Sequence, residues 1–161
     1  MHDPNMHGGR HGPFLLQPGP GRQRRRRLGS VIRPFEHYAW AGVQSETVIE
    51  DGKRGDQVGA VRRVTVGAKV LRQRLRAHSD LERSYSYEFA EAPPFPVCNY
   101  LATLRVTSVV ETGGAFVEWW ANFDCATDEL DLWTTHFEQQ GFAVWLAALR
   151  EFMRARRAQE P

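Results

Sequence analysis

The chain has 161 residues, of which 42% are hydrophobic and 25% are charged, and its formal net charge is +2. That length suits one domain with a hydrophobic core of its own. No apolar run approaches the roughly 20 residues that a membrane-spanning helix needs, so an integral membrane protein with helical spans is not expected. The two cysteines stand outside any CxxC motif, which excludes a disulfide scaffold.

The positive charge is concentrated at the N-terminus. Residues 1–33 contain seven arginines and one acid, a net charge of +6, whereas the remainder of the chain carries −4. Residues 1–27 are also rich in proline and glycine, a composition that cannot bury enough apolar area to fold alone. We therefore expect a disordered basic tail over residues 1–27 and a folded domain over residues 28–158.

The four consecutive arginines at residues 24–27 leave two interpretations open. They could contact the phosphates of a nucleic acid or of an anionic membrane surface. The simpler interpretation is a solvated tail, and on it no specific nucleic-acid partner is expected. The only apolar stretch nearby, residues 14–16, is too short for the core of a secretory signal, so we expect a cytoplasmic location with free thiols.

Hydrophobic alternation with a period of two, broken by turn residues, predicts six strands. They span residues 43–50, 57–66, 70–78, 83–90, 99–110 and 115–125. A helix is predicted to follow from Thr127, because apolar residues then recur at spacings of three and four as far as Phe152. Six antiparallel strands followed by one long helix define an α+β fold, with the helix packed across a curved sheet.

Several short motifs, in order along the chain, resemble those of the START-like helix-grip superfamily, the SRPBCC group that includes polyketide cyclase/dehydrase-type proteins, the birch-pollen allergen and the plant abscisic-acid receptors. The motifs are DQVGAVR at residues 56–62, QRL at 73–75, SD at 79–80, YSY at 85–87, NY at 99–100 and FVEW at 116–119. The resemblance extends from about residue 28 to about residue 154. It implies a sheet wrapped around the long helix, with an internal apolar cavity that holds a small hydrophobic or aromatic ligand.

The predicted inner faces supply such a cavity with an apolar lining. Those positions are Val64, Val66, Leu71, Leu75, Tyr85, Tyr87, Phe89, Ala102, Leu104, Phe116, Trp120, Phe137, Gly141 and Trp145. Four polar residues are predicted on the same faces, namely Arg62, Gln73, Tyr100 and Glu118. A concave apolar surface with a few placed polar groups is typical of a ligand site. The alternative is a filled core in which Glu118 and Arg62 form an ion pair.

The abscisic-acid receptors offer a residue-by-residue comparison. Gln73, Tyr100 and Glu118 match positions whose side chains reach the ligand's polar groups. The chain has only residues 67–69 where the receptors have a gate loop, and the sequence PFPV at residues 94–97 replaces their latch. Hormone-receptor function is therefore not expected. The first strand of the family would fall near residues 19–27, which cannot form a covered strand, so that strand is expected to be missing or altered.

Three functions follow from these observations. The first is binding of a small hydrophobic ligand. The second is an enzyme of the cyclase/dehydratase kind, with Glu118 and Tyr100 as the acid–base pair and Arg62 as an oxyanion partner. The third is a plain globular domain whose arginine-rich tail contacts nucleic acid or membrane. No cofactor or metal is predicted, because the tail histidines, His2, His7 and His11, have no partner of metal-ligand type nearby, and the others are isolated from one another. The sequence leaves the ligand and the oligomeric state open.

Overall fold

A computed structural model describes residues 7–10, 14–16, 35, 40, 45–66, 68–112 and 114–159. Within these residues the strands are β1 (His7–Arg10), β2 (Phe14–Leu16), β3 (Ser45–Glu50), β4 (Val61–Val66), β5 (Lys69–Ser79), β6 (Ser84–Phe89), β7 (Cys98–Val109) and β8 (Gly114–Asp124). They form one antiparallel sheet in the order β1-β8-β7-β6-β5-β4-β3, with β2 also paired to β8.

A helical segment follows the sheet. It consists of a 3-10 turn (Thr127–Glu129), helix α1 (Leu130–Thr135), a π-helical stretch (His136–Phe142) and helix α2 (Ala143–Ala158). The predicted α+β fold, with strands β3 to β8 and one long C-terminal helix, is confirmed. Ala126 rather than Thr127 occupies the N-cap position, and its side chain makes no capping hydrogen bond.

Strand β5 shows how alternation of apolar and polar residues produces one buried face and one solvent-exposed face. Gln73 and Leu75 are buried, and the arginines between and beside them are at least partly exposed. A bulge between Leu75 and Ala77 then shifts the register against β6. Ala77 is therefore exposed, and the His78 side chain is only 12% exposed. Simple alternation along β5 predicts Ala77 on the inner face and His78 on the outer face, and both predictions are wrong because the inserted residue changes the direction of the side chains that follow it.

Strand β8 lies one residue out of the predicted phase. Its inner face carries Val117, Trp119, Ala121 and Phe123, each at most 4% exposed. Since side chains alternate strictly along a strand, a slip of one residue moves every side chain to the other face. The predicted inner positions of Phe116, Glu118 and Trp120 are therefore wrong, and these three side chains are half-buried on the outer face. Apolar residues occupy both faces of this strand, so its sequence does not reveal which face is covered.

Two strands within the predicted tail cover the edge of β8. Residues 7–10 pair with Trp120 to Phe123, and residues 14–16 pair with Ala115 to Val117. The structure has strands and not disorder at these seven residues, and where the first strand was expected to be missing or altered, strands are present upstream of residues 19–27. Hydrogen bonds to β8 satisfy the backbone groups of these segments, so a tertiary contact and not the local composition stabilises the two strands. The arginines at residues 24–27 lie outside the described residues, and the domain boundary after residue 27 stays a prediction.

The long helix changes phase within its π-helical stretch. The residues buried against the sheet are Phe137, Gly141, Phe142, Leu146 and Leu149. The step from Phe137 to Phe142 is five residues, as expected where each turn is wider than in an α-helix. The predicted apolar face continued through Val144, which is 52% exposed. That prediction was wrong because a constant spacing of three and four was assumed along the whole helix.

Candidate functional site

A buried arginine lies at the centre of the inner face. Arg62 on β4 is 0% exposed, and it stands directly opposite Gln73 on β5 in the register of the two strands. Its Nε atom donates to Gln73 Oε1 at 2.7 Å, and its Nη1 atom donates to the Phe35 carbonyl oxygen at 3.0 Å. A buried charge is costly unless hydrogen bonds satisfy it. These contacts therefore fix the guanidinium in one position.

Aromatic rings enclose the guanidinium. Its Cζ atom lies 4.1 Å from the centroid of Phe35 and 4.8 Å from that of Tyr87. Both distances allow a cation–π attraction, which is stronger in a site from which water is excluded. The arrangement is a positive charge held between aromatic faces.

Two tyrosine hydroxyls share this buried environment. Burial raises the pKa of Tyr85, and the adjacent Arg62 charge and its hydrogen bond oppose that rise. Burial also raises the pKa of Tyr87, again against the charge of Arg62. Both hydroxyls are therefore protonated at neutral pH and act as neutral hydrogen-bonding groups.

The hydrogen bonding continues from Tyr87 toward the helix. Trp119 Nε1 donates to the Tyr87 hydroxyl at 3.1 Å. A hydrogen bond also links the side chains of Tyr87 and Tyr100. We call Arg62, Gln73, Tyr85, Tyr87 and Tyr100 the Arg62 cluster. It joins strands β4 to β7 across the concave face of the sheet.

A layer of aromatic side chains lies between the sheet and the helix. Ring centroids lie 5.1 Å apart for Tyr100 and Phe137 and 5.0 Å apart for Phe123 and Phe137. Trp119 stacks on Phe142 at 5.2 Å and contacts Trp145 at 5.1 Å. These offset and tilted contacts are the arrangements that aromatic pairs favour.

Gly141 faces this layer, and the ring of Trp145 covers it. A Cβ atom added at Gly141 would lie 3.7 Å from Cζ3 of Trp145, an ordinary van der Waals distance. The space beside Gly141 is therefore occupied by an aromatic side chain. A ligand that binds at this point has to move that ring.

The structure brings most of the predicted site residues together. Arg62, Gln73, Tyr87 and Tyr100 form the cluster described above. Other predicted residues are buried in the same core, namely Val64, Leu75, Ala102 and Phe137. Half-buried positions belong to Leu71, Phe89 and Trp145, and the side chain of Val66 lies outside the described residues.

Glu118 and Trp120 do not join the site. Glu118 Oε2 lies 3.3 Å from Arg105 Nε, with the glutamate side chain 33% exposed. The guanidinium of Arg105 also lies 5.1 Å from the Trp120 ring. The predicted acid–base pair of Glu118 and Tyr100 is therefore divided between the two faces of the sheet.

Sequence reasoning missed two contributors to the site. Trp119 was overlooked because the adjacent Trp120 fits an alternating pattern equally well. The Phe35 carbonyl oxygen, which accepts from Arg62, comes from a segment 27 residues earlier in the chain. A backbone acceptor carries no signature of its own in a sequence. Only the packing of Phe35 beneath the sheet reveals it.

A groove opens on the sheet beside the Arg62 cluster. It encloses about 680 Å³ and is lined by residues of β5, β6, β7 and the loop before β7. Phe89 and Tyr100, both predicted site residues, belong to its lining. This volume lies within the usual range for small-molecule sites.

The described part of the chain contains neither a metal-binding cluster nor a membrane-spanning helix. No group of three or more His, Cys, Asp or Glu side chains there is arranged to hold a metal ion. No helix in that part has the length and apolar character needed to cross a membrane.

A curved antiparallel sheet that grips one long C-terminal helix is the helix-grip class of fold. The sequence model described as polyketide cyclase / dehydrase and lipid transport matches residues 27–158. The chain belongs to this family. The comparison with curated proteins finds no match.

Solved structures with the same fold come from several bacteria. A solution NMR structure of a protein from Thermobifida fusca is 25% identical, with a TM-score of 0.75 over 89% of this chain and 91% of that one. The protein XoxI from Bacillus cereus is 23% identical, with a TM-score of 0.70 over 91% and 93%. A protein from Nitrosospira multiformis is 23% identical, with a TM-score of 0.67 over 91% and 94%. These similarities support the fold assignment.

Proposed function

We propose that this protein binds a small hydrophobic or aromatic ligand between its curved sheet and its long helix. The observation that carries the proposal is the Arg62 cluster, a fully buried guanidinium and amide set within an aromatic layer. Membership of a family described by polyketide cyclases, dehydrases and lipid transport supports the same class of ligand.

The chemistry of the interior suits a ligand with one polar end. Aromatic and aliphatic side chains provide most of the contact area, and burying apolar ligand surface against them supplies the binding free energy. The guanidinium of Arg62 and the hydroxyls of Tyr85 and Tyr87 are donors that orient a carbonyl, carboxylate or phenolic oxygen. Charge-assisted hydrogen bonds of this kind fix orientation as well as affinity.

The alternative enzymatic function has weaker support because the predicted acid–base residue Glu118 lies away from the site. Glu118 lies on the outer face beside Arg105, so Tyr100 and Arg62 remain as the catalytic candidates. General acid–base catalysis needs a titratable group whose pKa lies near the working pH, held against the substrate. The other two tyrosines of the cluster have raised pKa values, which moves them away from that range. Binding without chemistry is therefore the function proposed.

Native mass spectrometry of the purified protein is the first test, because a tightly held ligand survives as added mass. The second test is a titration with 1-anilinonaphthalene-8-sulfonate, an anionic aromatic probe, followed by its fluorescence. Arg62→Met should weaken binding of this probe by about tenfold or more, since a hydrogen bond to a charged group is worth about 1.5–3 kcal/mol. Arg63→Met is the matched control, because Arg63 is the next residue on the opposite face of β4.

The variants separate a binding defect from a folding defect. Arg62→Lys keeps the charge and should bind with intermediate affinity, and circular dichroism checks that each variant is folded. Equal affinity in the wild type, folded Arg62→Met and the Arg63→Met control would contradict a binding role for Arg62. The complete absence of both a co-purified molecule and probe binding would refute the proposed function.

A further inference from the structure

Strands β6 and β7 separate in the middle of the sheet. Their last paired residues are Tyr87 and Ala102, although β6 continues to Phe89 and β7 begins at Cys98. Each strand remains paired on its other side, Phe89 with Gln73 and Leu101 with Asn122. The separation therefore forms an opening within the sheet and not at its edge.

Irregular backbone flanks the opening on both sides. Strand β5 has its bulge between Leu75 and Ala77, and β7 has a register shift between Cys98 and Leu101. Asn99, inside that shift, has a φ of 51°, a left-handed conformation that few residues other than glycine and asparagine adopt readily. Bulges of this kind occur preferentially next to functional sites, where they re-aim side chains and end strand pairing.

The groove of about 680 Å³ lies at this opening. Its lining includes the charged side chains of Arg76, Glu88 and Glu91, together with the half-buried Phe89 and the buried Tyr100. The rings of the last two lie 4.7 Å apart, centroid to centroid. Because Tyr100 also belongs to the Arg62 cluster, where it is linked to Tyr87, this ring pair is the point at which the groove meets the cluster.

We propose that the groove is the passage through which a hydrophobic ligand enters and leaves the interior. The rings of Phe89 and Tyr100 close this passage until they rotate. The proposal rests on the proposed function. Rotation of two aromatic rings opens the path without breaking strand pairing, since β6 and β7 are already unpaired there. The ligand moves from a partly charged rim, past the ring pair, to the buried donors of the cluster.

Cys98 provides a natural labelling site in this passage. It lines the groove and is exposed. Burial raises the pKa of the other thiol, Cys125, which makes it less reactive, and Cys125→Ser removes it altogether. A polyethylene glycol maleimide can then be attached to Cys98 alone. Stopped-flow fluorescence with 1-anilinonaphthalene-8-sulfonate measures the association and dissociation rate constants before and after labelling.

A blocked passage slows both directions equally. We expect both rate constants to fall by about tenfold or more while Kd changes by less than about twofold, because a barrier on the path leaves the end states unchanged. The control carries the same label on Val110→Cys in a Cys98→Ser/Cys125→Ser background. Val110 is 78% exposed just beyond the other end of β7, so that label should leave both rates unaltered.

A second variant widens the passage. Phe89→Ala removes one of the two rings that close the passage and should raise the association and dissociation rate constants. Probe binding at normal affinity with unaltered rates in labelled Cys98 and in Phe89→Ala overturns the passage and leaves the proposed function standing. A weaker Kd through faster dissociation in labelled Cys98 makes the groove the binding site itself, which also overturns it. Failure of the unlabelled protein both to bind the probe and to retain a co-purified molecule overturns both proposals.

Discussion

Arg62 and Arg63 are neighbours on one strand, yet their surroundings have little in common. Arg62 is 0% exposed and is held by an amide, a carbonyl oxygen and two aromatic rings. Arg63 is half-buried on the outer face, opposite Arg72 in the register of β4 and β5. The face of the sheet, and not the residue type, decides what an arginine contributes.

The outer face of strands β3, β5 and β6 carries a network of arginine–glutamate pairs. Arg72 contacts Glu50 at 3.0 Å, Arg74 contacts Glu88 at 3.1 Å, and Arg76 shares the same glutamate at 3.3 Å. Most of these side chains are substantially exposed, so each pair is worth little individually. The inner face has fewer polar contacts, but each of them is buried and costly to break. The predictions below test this difference between the faces.

The two tryptophans of β8 should give the largest contrast. Trp119 is 0% exposed and stacks on Phe142, whereas Trp120 lies on the outer face beside Arg105. Trp119→Ala should lower the free energy of unfolding by about 3–5 kcal/mol, the usual cost of truncating a buried tryptophan. Trp120→Ala should cost about 1 kcal/mol, since it removes a partly exposed ring and a cation–π contact. Urea denaturation measures both values, and equal losses would mean that the inner face has been misassigned.

The buried tyrosines predict a loss of stability in alkali. Burial raises the pKa of Tyr87 above the ordinary value of 10.0. The folded protein therefore holds this proton more tightly than the unfolded chain does. Below pH 10 both states are protonated and the free energy of unfolding is unaffected by this group. Above pH 10 the unfolded chain loses the proton first, so stability falls by up to about 1.4 kcal/mol per pH unit.

Tyr87→Phe should reduce this alkaline loss, and Tyr85→Phe/Tyr87→Phe should reduce it further, because burial also raises the pKa of Tyr85. Urea denaturation curves between pH 8 and pH 11 compare the variants with the wild type over the window that these pKa shifts define. Each variant is referred to its own stability at the lower pH, since loss of the Tyr87 hydroxyl also removes the acceptor of Trp119. Identical alkaline slopes in all three proteins would contradict the prediction.

The ion pair of Glu118 and Arg105 should give the smallest effect. Glu118→Gln removes one charge from a pair whose side chains are 33% and 42% exposed, so it should change the free energy of unfolding by about 0.5 kcal/mol or less. Gln73→Leu is the inner-face counterpart, and it should cost about 1–3 kcal/mol because the Arg62 guanidinium loses a buried acceptor. Denaturation in urea again provides the measurement. A loss from Glu118→Gln as large as that from Gln73→Leu would show that Glu118 is buried after all.

The sequence predicts those parts of the fold in which one face is consistently polar. Strand β5 alternates arginines with Leu71, Gln73 and Leu75, and its inner residues were identified correctly as far as the bulge. Strand β8 has large apolar residues on both faces, so periodicity could not choose between two phases one residue apart. For the same reason Trp120 was predicted at the position that Trp119 occupies.

Two other errors concern features that local sequence patterns do not reveal. The π-helical stretch changes the helix phase at Gly141, and the spacing of apolar residues there does not indicate a wider turn. Strands β1 and β2 form because β8 offers them an unpaired edge, although glycine-rich segments have little tendency to form strands alone. The Arg62 cluster was largely identified because a charged residue on an otherwise apolar face is conspicuous in any sequence.

The pairing of β1 and β2 with β8 predicts the effect of removing the N-terminal residues. The family match begins at residue 27, downstream of both strands. A protein trimmed to that match would keep every residue of the Arg62 cluster and lose the cover of an 11-residue strand. The bared strand would then present a row of hydrogen-bonding groups to any other copy in solution. Strands β1 and β2 thus cover an edge that could otherwise pair with a second copy, and the family motifs give no indication of them.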